Sequence, residues 1–437
     1  MEEPRKELEK QELPRFEFMK EQIKERPLNK KKLLRRTVMT VSMAVLFGLV
    51  ACLTVLVLEP VFNNWLYPEE PAENITFPPD TEEILPEDMA LDDAELEQET
   101  TAEVVAPAPE QLDELELYRK TYGRLQKLTA EVCRSLVTVT GVTSDRDWFD
   151  NMYESKGQAT GVLIANNGRE YLVLTAAEPV QTVETISVTF CDNSQAKAEV
   201  KMTDPTTGLA VLAIENKEIG DGTRDVITTA VLGSSNYASL TGSPVIALGS
   251  PAGVKGSVIY GVATSSGNLL NTVDSRYRLI TTDIYGSHSG SGVLINLQGQ
   301  VIGVIDQGYN ADGMENMISA LGISELKTTI ERLSNGKAQA YMGIYGTDVT
   351  PEANENLQVP YGAYVTEIEM DSPAMQAGIQ SGDVIISLNG RMVENFDEYI
   401  KVLSESTPGS TIYVTLMRMN QEAYQSVSFP VALGELK

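Results

Sequence analysis

The chain holds a single histidine, and it stands inside a run that could do nucleophilic chemistry: Tyr285, Gly286, Ser287, His288, Ser289, Gly290, Ser291, Gly292 and Val293. A serine hydroxyl attacks only when a base takes its proton, and imidazole is the side chain whose ordinary pKa suits that work near neutral pH. Backbone N–H groups of a glycine-rich loop could in turn hold the oxyanion that the attack creates. Two considerations weigh against a pairing confined to this run. Residues adjacent in sequence seldom reach the base-to-nucleophile geometry that separate elements supply, and no motif sets an acid where it would orient His288. The expectation for His288 is therefore a loop-stabilising or exposed side chain. The cysteines offer less. Cys52, Cys133 and Cys191 show no CxxC spacing and cannot complete a zinc site with one histidine, so neither a metal nor any other cofactor is expected. A disulfide between Cys133 and Cys191 and two lone thiols both stay open.

Positioning such a loop takes a rigid scaffold. After Gln111 the run LDELELYRKTYGRLQKLTAEV carries apolar residues at helical intervals, and the period changes near Arg134. The segments SLVTVTG, ATGVLIAN, YLVLTAA, TISVTFC, KAEVKMT, LAVLAI, SPVIALGS and VIYGVAT then follow at short spacing between turn signals, which predicts an all-β sandwich or barrel.

Four blocks take this further. YLVLTAAEPV (171–180), DPTTGLAVLAI (204–214), SPVIALGSPAG (243–253) and SGVLINLQGQVIGV (291–304), in this order and spacing, resemble the HtrA/Deg serine proteases across most of residues 130–335. The resemblance implies a chymotrypsin-like double β-barrel. It also implies a triad, and here the sequence departs from the family. Where the first block should end in the general-base histidine, this chain has Ala176, Ala177 and Glu178. A carboxyl group with an ordinary pKa near 4.3 is a poor base toward a hydroxyl. Where the second block should carry the aspartate that orients that histidine, Gly208 precedes Leu209, and a glycine orients nothing. The nucleophile position depends on register. Alignment on Asn296, Leu297 and Gly299 puts Gly290 there, a one-residue insertion puts Ser289, and alignment on Thr282 and Asp283 puts Ser291.

A second resemblance follows from Ala340 onward, to the PDZ domain: YMGIYGTDV, then SPAMQAGIQSGDVIISLNG, then STIYVTLMRM. The spacing from Ser372, Pro373 and Ala374 through Gly378, Gly382 and Asp383 to Asn389 and Gly390 reads as a capped short helix, a strand and an NG turn. PDZ domains accept an extended C-terminus as an added strand, its carboxylate held by backbone N–H groups. The resemblance assigns that role to Tyr341, Met342, Gly343 and Ile344.

Upstream, Thr37 to Leu58 runs without a charge, about 22 residues or roughly 33 Å as a helix, enough to span a bilayer. Lys30, Lys31, Lys32, Arg35 and Arg36 precede it and Glu59 follows, so the positive-inside rule sets the N-terminus in the cytoplasm and the rest outside. The formal charge of -28 has a local origin: no Lys or Arg lies between Arg36 and Arg119, while acids crowd residues 69–116. With no basic stripe in the folded half, nucleic acid is not an expected partner.

The expected organisation is a cytoplasmic tail (1–36), a transmembrane helix (37–58), an acidic Pro-rich disordered stalk (59–110), a trypsin-like domain (111–335) and a PDZ domain (340–434). The fold class is mainly β, with an α+β module at the C-terminal end. Three functions compete: a membrane-tethered pseudoprotease recognising peptide or protein C-termini and misfolded envelope proteins, an active HtrA-type endopeptidase with a rearranged site, and a structural envelope component. The family resemblance also implies a bacterial envelope and a homotrimer.

Overall fold

The computed structural model describes residues 38–49, 72–80, 114–146, 152–237, 239–310, 315–421 and 423–436. The chain divides into two compact units, Met1–Pro71 and Ala72–Lys437. Of the first, residues 38–49 form an α-helix with every side chain exposed. Among the described residues no helix is long and apolar enough to cross a membrane. The span expected over Thr37–Leu58 runs past the described residues at both ends, and the tail expected over 1–36 lies outside them.

The second unit opens its β structure with β1 (Leu136–Arg146), β2 (Met152–Asn166), β3 (Glu170–Ala176), β4 (Thr185–Thr189), β5 (Gln195–Asp204) and β6 (Leu209–Glu215). These close into a barrel in the order β1-β2-β3-β6-β5-β4. A second barrel follows from β7 (Pro244–Ser250), β8 (Ser257–Thr272), β9 (Ser275–Tyr285), β10 (Ser291–Ile295), β11 (Val301–Ile305) and β12 (Met317–Gly322), in the order β10-β11-β12-β9-β8-β7. All eight strand-like runs expected from the sequence lie on β1 to β8.

These strands are apolar on both faces because each face meets a different core. In β3, Val173 points into the first barrel with Val139, Leu163 and Leu212, while Leu172 and Leu174 face a shared seam. In β7 and β10 the same alternation puts Val245, Ala247 and Leu294 inside the second barrel, with Ile246, Leu248 and Val293 in the seam. Burying each such branched side chain contributes about 1.5–3 kcal/mol relative to exposure. The helix Ile323–Ser334 seals the seam with Ile323, Leu326, Ile330 and Leu333, and the helix Glu114–Val132 lays Leu125, Leu128 and Val132 against it. That spacing is the helical one the sequence carried.

Of the expected stalk, the structure describes 72–80, and there it is not a solvated spacer. Ile75 and Phe77, two residues apart in an extended segment and so on one face, pack against the seam. Asn335 fixes the backbone of Ile75 at two points, its Oδ1 accepting from the N–H at 3.0 Å and its Nδ2 donating to the carbonyl at 2.9 Å. Lys327 pairs with Asp80 at 2.6 Å. Composition averages over the acids and prolines of this stretch and hides that apolar pair.

The C-terminal module has a sheet in which β14 (Ile344–Asp348), β15 (Ala363–Ile368), β16 (Val384–Leu388), β18 (Thr411–Asn420) and β19 (Ala423–Ala432) follow one another, with β17 (Arg391–Met392) on β16. A short pair, β13 (Ala340–Tyr341) and β20 (Gly434–Glu435), closes it. Asn389 and Gly390 both adopt positive φ between β16 and β17, the two-residue turn that NG predicts. Ser372 caps the helix Pro373–Ala377, and Asn395 caps the helix Phe396–Ser404, which buries Phe396, Tyr399, Val402 and Leu403 in the module's core. The edge strand β14 meets that last helix at its end, where Asp348 Oδ1 accepts from the Phe396 N–H at 2.8 Å. Cys133 and Cys191 are both free thiols, with Cys133 half-buried and Cys191 exposed.

Candidate functional site

The residues expected at the two triad positions are brought together. Ala177 donates its N–H to the carbonyl of Gly208 at 2.7 Å, so Glu178, which opens a short 3-10 turn with Pro179, sits one residue from that contact. Its carboxylate is exposed. Gly208 has φ +66 and ends a turn that Asp204 organises: Asp204 Oδ2 accepts from the Thr207 N–H at 3.0 Å and Oγ1 at 2.7 Å, and its carbonyl accepts from the Gly208 N–H. A Cβ at Gly208 would meet open space, so the positive φ, not crowding, favours glycine here.

The loop between β9 and β10 is closed on itself. The Ser287 N–H donates to the carbonyl of Pro251, the Ser289 N–H to Ser287 Oγ at 3.3 Å, and the Gly290 N–H to the carbonyl of Ser287 at 2.8 Å. The N–H groups of Ser289 and Gly290 are thereby committed within the loop. The Ser287 and Ser289 hydroxyls lie 3.1 Å apart. Gly290 has no room for a serine: a Cβ would stand 2.6 Å from the Pro251 carbonyl oxygen and 2.8 Å from that of Ser287.

Ser291, the first residue of β10, stitches the barrels together. Its Oγ accepts from the Thr160 N–H at 3.0 Å and lies 3.4 Å from Thr160 Oγ1 on β2. His288 is exposed. Among the described residues no hydrogen bond joins His288 or Glu178 to Ser287, Ser289 or Ser291.

The loop carrying Tyr341, Met342, Gly343 and Ile344 is a built anion cradle. The N–H groups of Met342, Gly343 and Ile344 all donate to one carboxylate, at 2.6, 2.7 and 3.0 Å, and the hydroxyl of Tyr399 donates to it at 2.5 Å. That carboxylate belongs to Asp274, in the turn joining β8 to β9, and it is 1% exposed. The loop's converging N–H groups are thus held by the chain's own side chain. Asp274 also donates its N–H to the Ile344 carbonyl at 2.8 Å, on the free edge of β14.

Burial pushes the Asp274 carboxyl above its usual range, against the pull of its four donors, and burial with the nearby carboxylate pushes Tyr399 well above 10. Gly343 has φ +89, and a Cβ there would overlap Ser372. Two residues beyond Asp274, the guanidinium of Arg276 reaches Asp348 Oδ2 at 2.7 Å and Asp397 Oδ1 at 3.1 Å. Beside these contacts a cleft of about 1000 Å³ opens between the helices Ile323–Ser334 and Phe396–Ser404, remote from the β9–β10 loop.

Sequence reading singled out the Tyr341–Ile344 loop but not the carboxylate that its N–H groups hold. Asp274, Arg276 and Tyr399 carry no motif, and only the turn-forming VDS left a signal.

Residues 159–304 match the family model of the trypsin-like peptidase domain, and residues 340–428 that of the PDZ domain. The chain is similar to a probable periplasmic serine endoprotease DegP-like from Pseudomonas savastanoi pv. phaseolicola, 31% identical over 250 residues, covering 56% of this chain and 50% of that protein. It is also similar to the protein of the same description from Chlamydia trachomatis serovar D, 28% identical over 304 residues, covering 68% of this chain and 58% of that one. It thus spans about half the length of the curated relatives it matches. Among solved structures it is similar to the HtrA-type protease AlgW with decapeptide, with TM-score 0.51 and 22% identity, covering 71% of this chain and 98% of that one. That likeness is one of fold.

Proposed function

Because the chain belongs to the HtrA/Deg family, with a trypsin-like peptidase fold and a PDZ domain, we propose that it recognises rather than cleaves: a pseudoprotease that binds peptide or protein C-termini through its PDZ cradle. The observation that carries this reading is the pair Glu178 and Gly208. They lie just beyond the paired ends of β3 and β6, at the positions the family resemblance gives to a base and its orienting acid, and neither residue type suits those roles. A serine without a base is left with only the residual acceleration that binding and an oxyanion site give, and here Ser289 and Gly290 already spend their N–H groups on Ser287. The cradle needs no triad, and its converging N–H groups are in place.

A fluorophosphonate probe offered to the full chain is expected to give no covalent label, with casein left intact and Ser289→Ala and Ser291→Ala indistinguishable from the parent. A label lost in either variant would establish instead an active endopeptidase with a rearranged site. That second reading draws on the relatives' endoprotease description and on the serine-rich loop. For recognition, a dense array of peptides with free C-termini should retain the full chain. Gly343→Ala should not be retained, since its Cβ overlaps Ser372 and spreads the cradle. Equal retention of both would remove the cradle from the proposal.

Single-pass anchoring through Thr37–Leu58, with both domains outside the cytoplasm, belongs to the same proposal. The Lys30–Arg36 charge cluster supports it, as does the periplasmic description of the relatives.

A further inference from the structure

We infer that the turn joining β8 to β9 is a latch that holds the PDZ cradle shut, and that a partner engages the cradle and the free edge of β14 only by displacing Asp274. The inference rests on the recognition reading above and adds its regulation.

Three features carry it. First, the match is chemical: three backbone N–H groups and the Tyr399 hydroxyl converge on one carboxylate, the arrangement that captures a C-terminal carboxylate. With Asp274 seated and 1% exposed, no second carboxylate can reach those donors. Second, the backbone imitates strand addition. β14 is the edge strand, and the Asp274 N–H pairs with the Ile344 carbonyl on the edge where an added peptide strand would begin. Third, the other end of β14 is clamped as well. The Arg276 side chain, 6% exposed, bridges Asp348 at the end of β14 to Asp397 in the first turn of the helix Phe396–Ser404. β14 and this helix are thus both held from the second barrel, by Asp274 at Ile344 and Tyr399 and by Arg276 at Asp348 and Asp397.

The latch belongs to a barrel strand pair rather than to the PDZ module, so occupancy of the cradle is coupled to how that module docks on the second barrel. A ligand for the cradle must carry a free carboxylate at the end of an extended backbone. Its apparent affinity is lowered by the fraction of molecules whose latch is open. A latch closed about nine-tenths of the time costs about tenfold.

The test uses the full chain, a fluorescein-labelled library of random decapeptides with free C-terminal carboxylates, and the same library ending in carboxamides. Asp274→Asn keeps the turn, because asparagine accepts the positive φ of +50, but it turns an NH2 group toward donors and removes the charge. It is expected to bind the carboxylate library about tenfold or more tightly than the parent and the carboxamide library no better. Hydrogen exchange at Met342, Gly343 and Ile344 should speed up in the same variant. Arg276→Ala, which loosens the clamp from outside the cradle, is expected to act in the same direction and decides the matter if Asp274→Asn does not fold.

Unchanged affinity together with unchanged exchange in both variants would overturn the latch. Faster exchange with no binding of either library by parent or variant would uphold the latch and overturn the recognition reading on which it rests.

Discussion

Asp204→Ala is expected to lower the unfolding free energy of the peptidase-like unit by about 3–5 kcal/mol. Asp204 is 1% exposed and serves three donors: the N–H and hydroxyl of Thr207 and the guanidinium of Arg332. Removing it leaves a largely buried cation unpaired and a turn N–H without an acceptor, and each loss carries its own desolvation cost. The pairing also ties the helix Ile323–Ser334 to the turn that delivers Gly208, so its loss would loosen the strand end beside Glu178. Urea unfolding measures this as a lower midpoint at unchanged slope. Asp204→Leu combined with Arg332→Met should recover much of the loss by removing both charges together. A single-variant cost below about 1 kcal/mol would mean that solvent reaches the pair and that the burial argument fails.

Gly292→Ala should be comparably severe, at about 3–5 kcal/mol, while Gly208→Ala should cost only about 1 kcal/mol. Both glycines have positive φ, +135 and +66. The difference is space. A Cβ on Gly292 would overlap the Leu248 carbonyl across the β7–β10 pairing, so the strands would have to part next to the nucleophile loop, whereas one on Gly208 meets nothing within 4 Å. Thermal melting of the two variants under identical conditions checks the contrast, and similar melting temperatures would refute it. The same geometry explains why the β9–β10 loop keeps its glycines whether or not it does chemistry: Gly286 and Gly290 also press against neighbours that admit no side chain.

What could be read ahead of the structure was what is local. Continuous apolar runs in YLVLTAA and LAVLAI marked β3 and β6, and the Asn389–Gly390 pair marked its turn, because each is fixed by neighbours a few residues away. The nucleophile register stayed open between Gly290, Ser289 and Ser291 because it turns on which residue starts β10. A contact from Ser291 to Thr160, 131 positions back, belongs to that strand start, and no window of sequence contains it. Asp274 was invisible for the same reason: its partners lie 68 to 70 positions away in the cradle and 125 away at Tyr399. Ile75 and Phe77 are a different case. Their spacing was there to be read, two apolar residues on one face of an extended segment, and the acidic composition around them obscured it.

A carboxylate tethered beside its own receptor acts as a competitor that dilution cannot remove. Short tethers present their ligand at effective concentrations of about a millimolar, whatever the total amount of protein. With Asp274 in the cradle, the threshold for an incoming C-terminus is therefore set by the turn's own geometry and not by how many copies of the chain are made. Chain ends that offer only a carboxylate compete on equal chemical terms at much lower concentration and lose. Those that prevail must draw further binding energy from side chains laid along β14 and the helix Phe396–Ser404. On the proposed recognition reading, a single aspartate would convert a general binder of chain ends into a discriminating one.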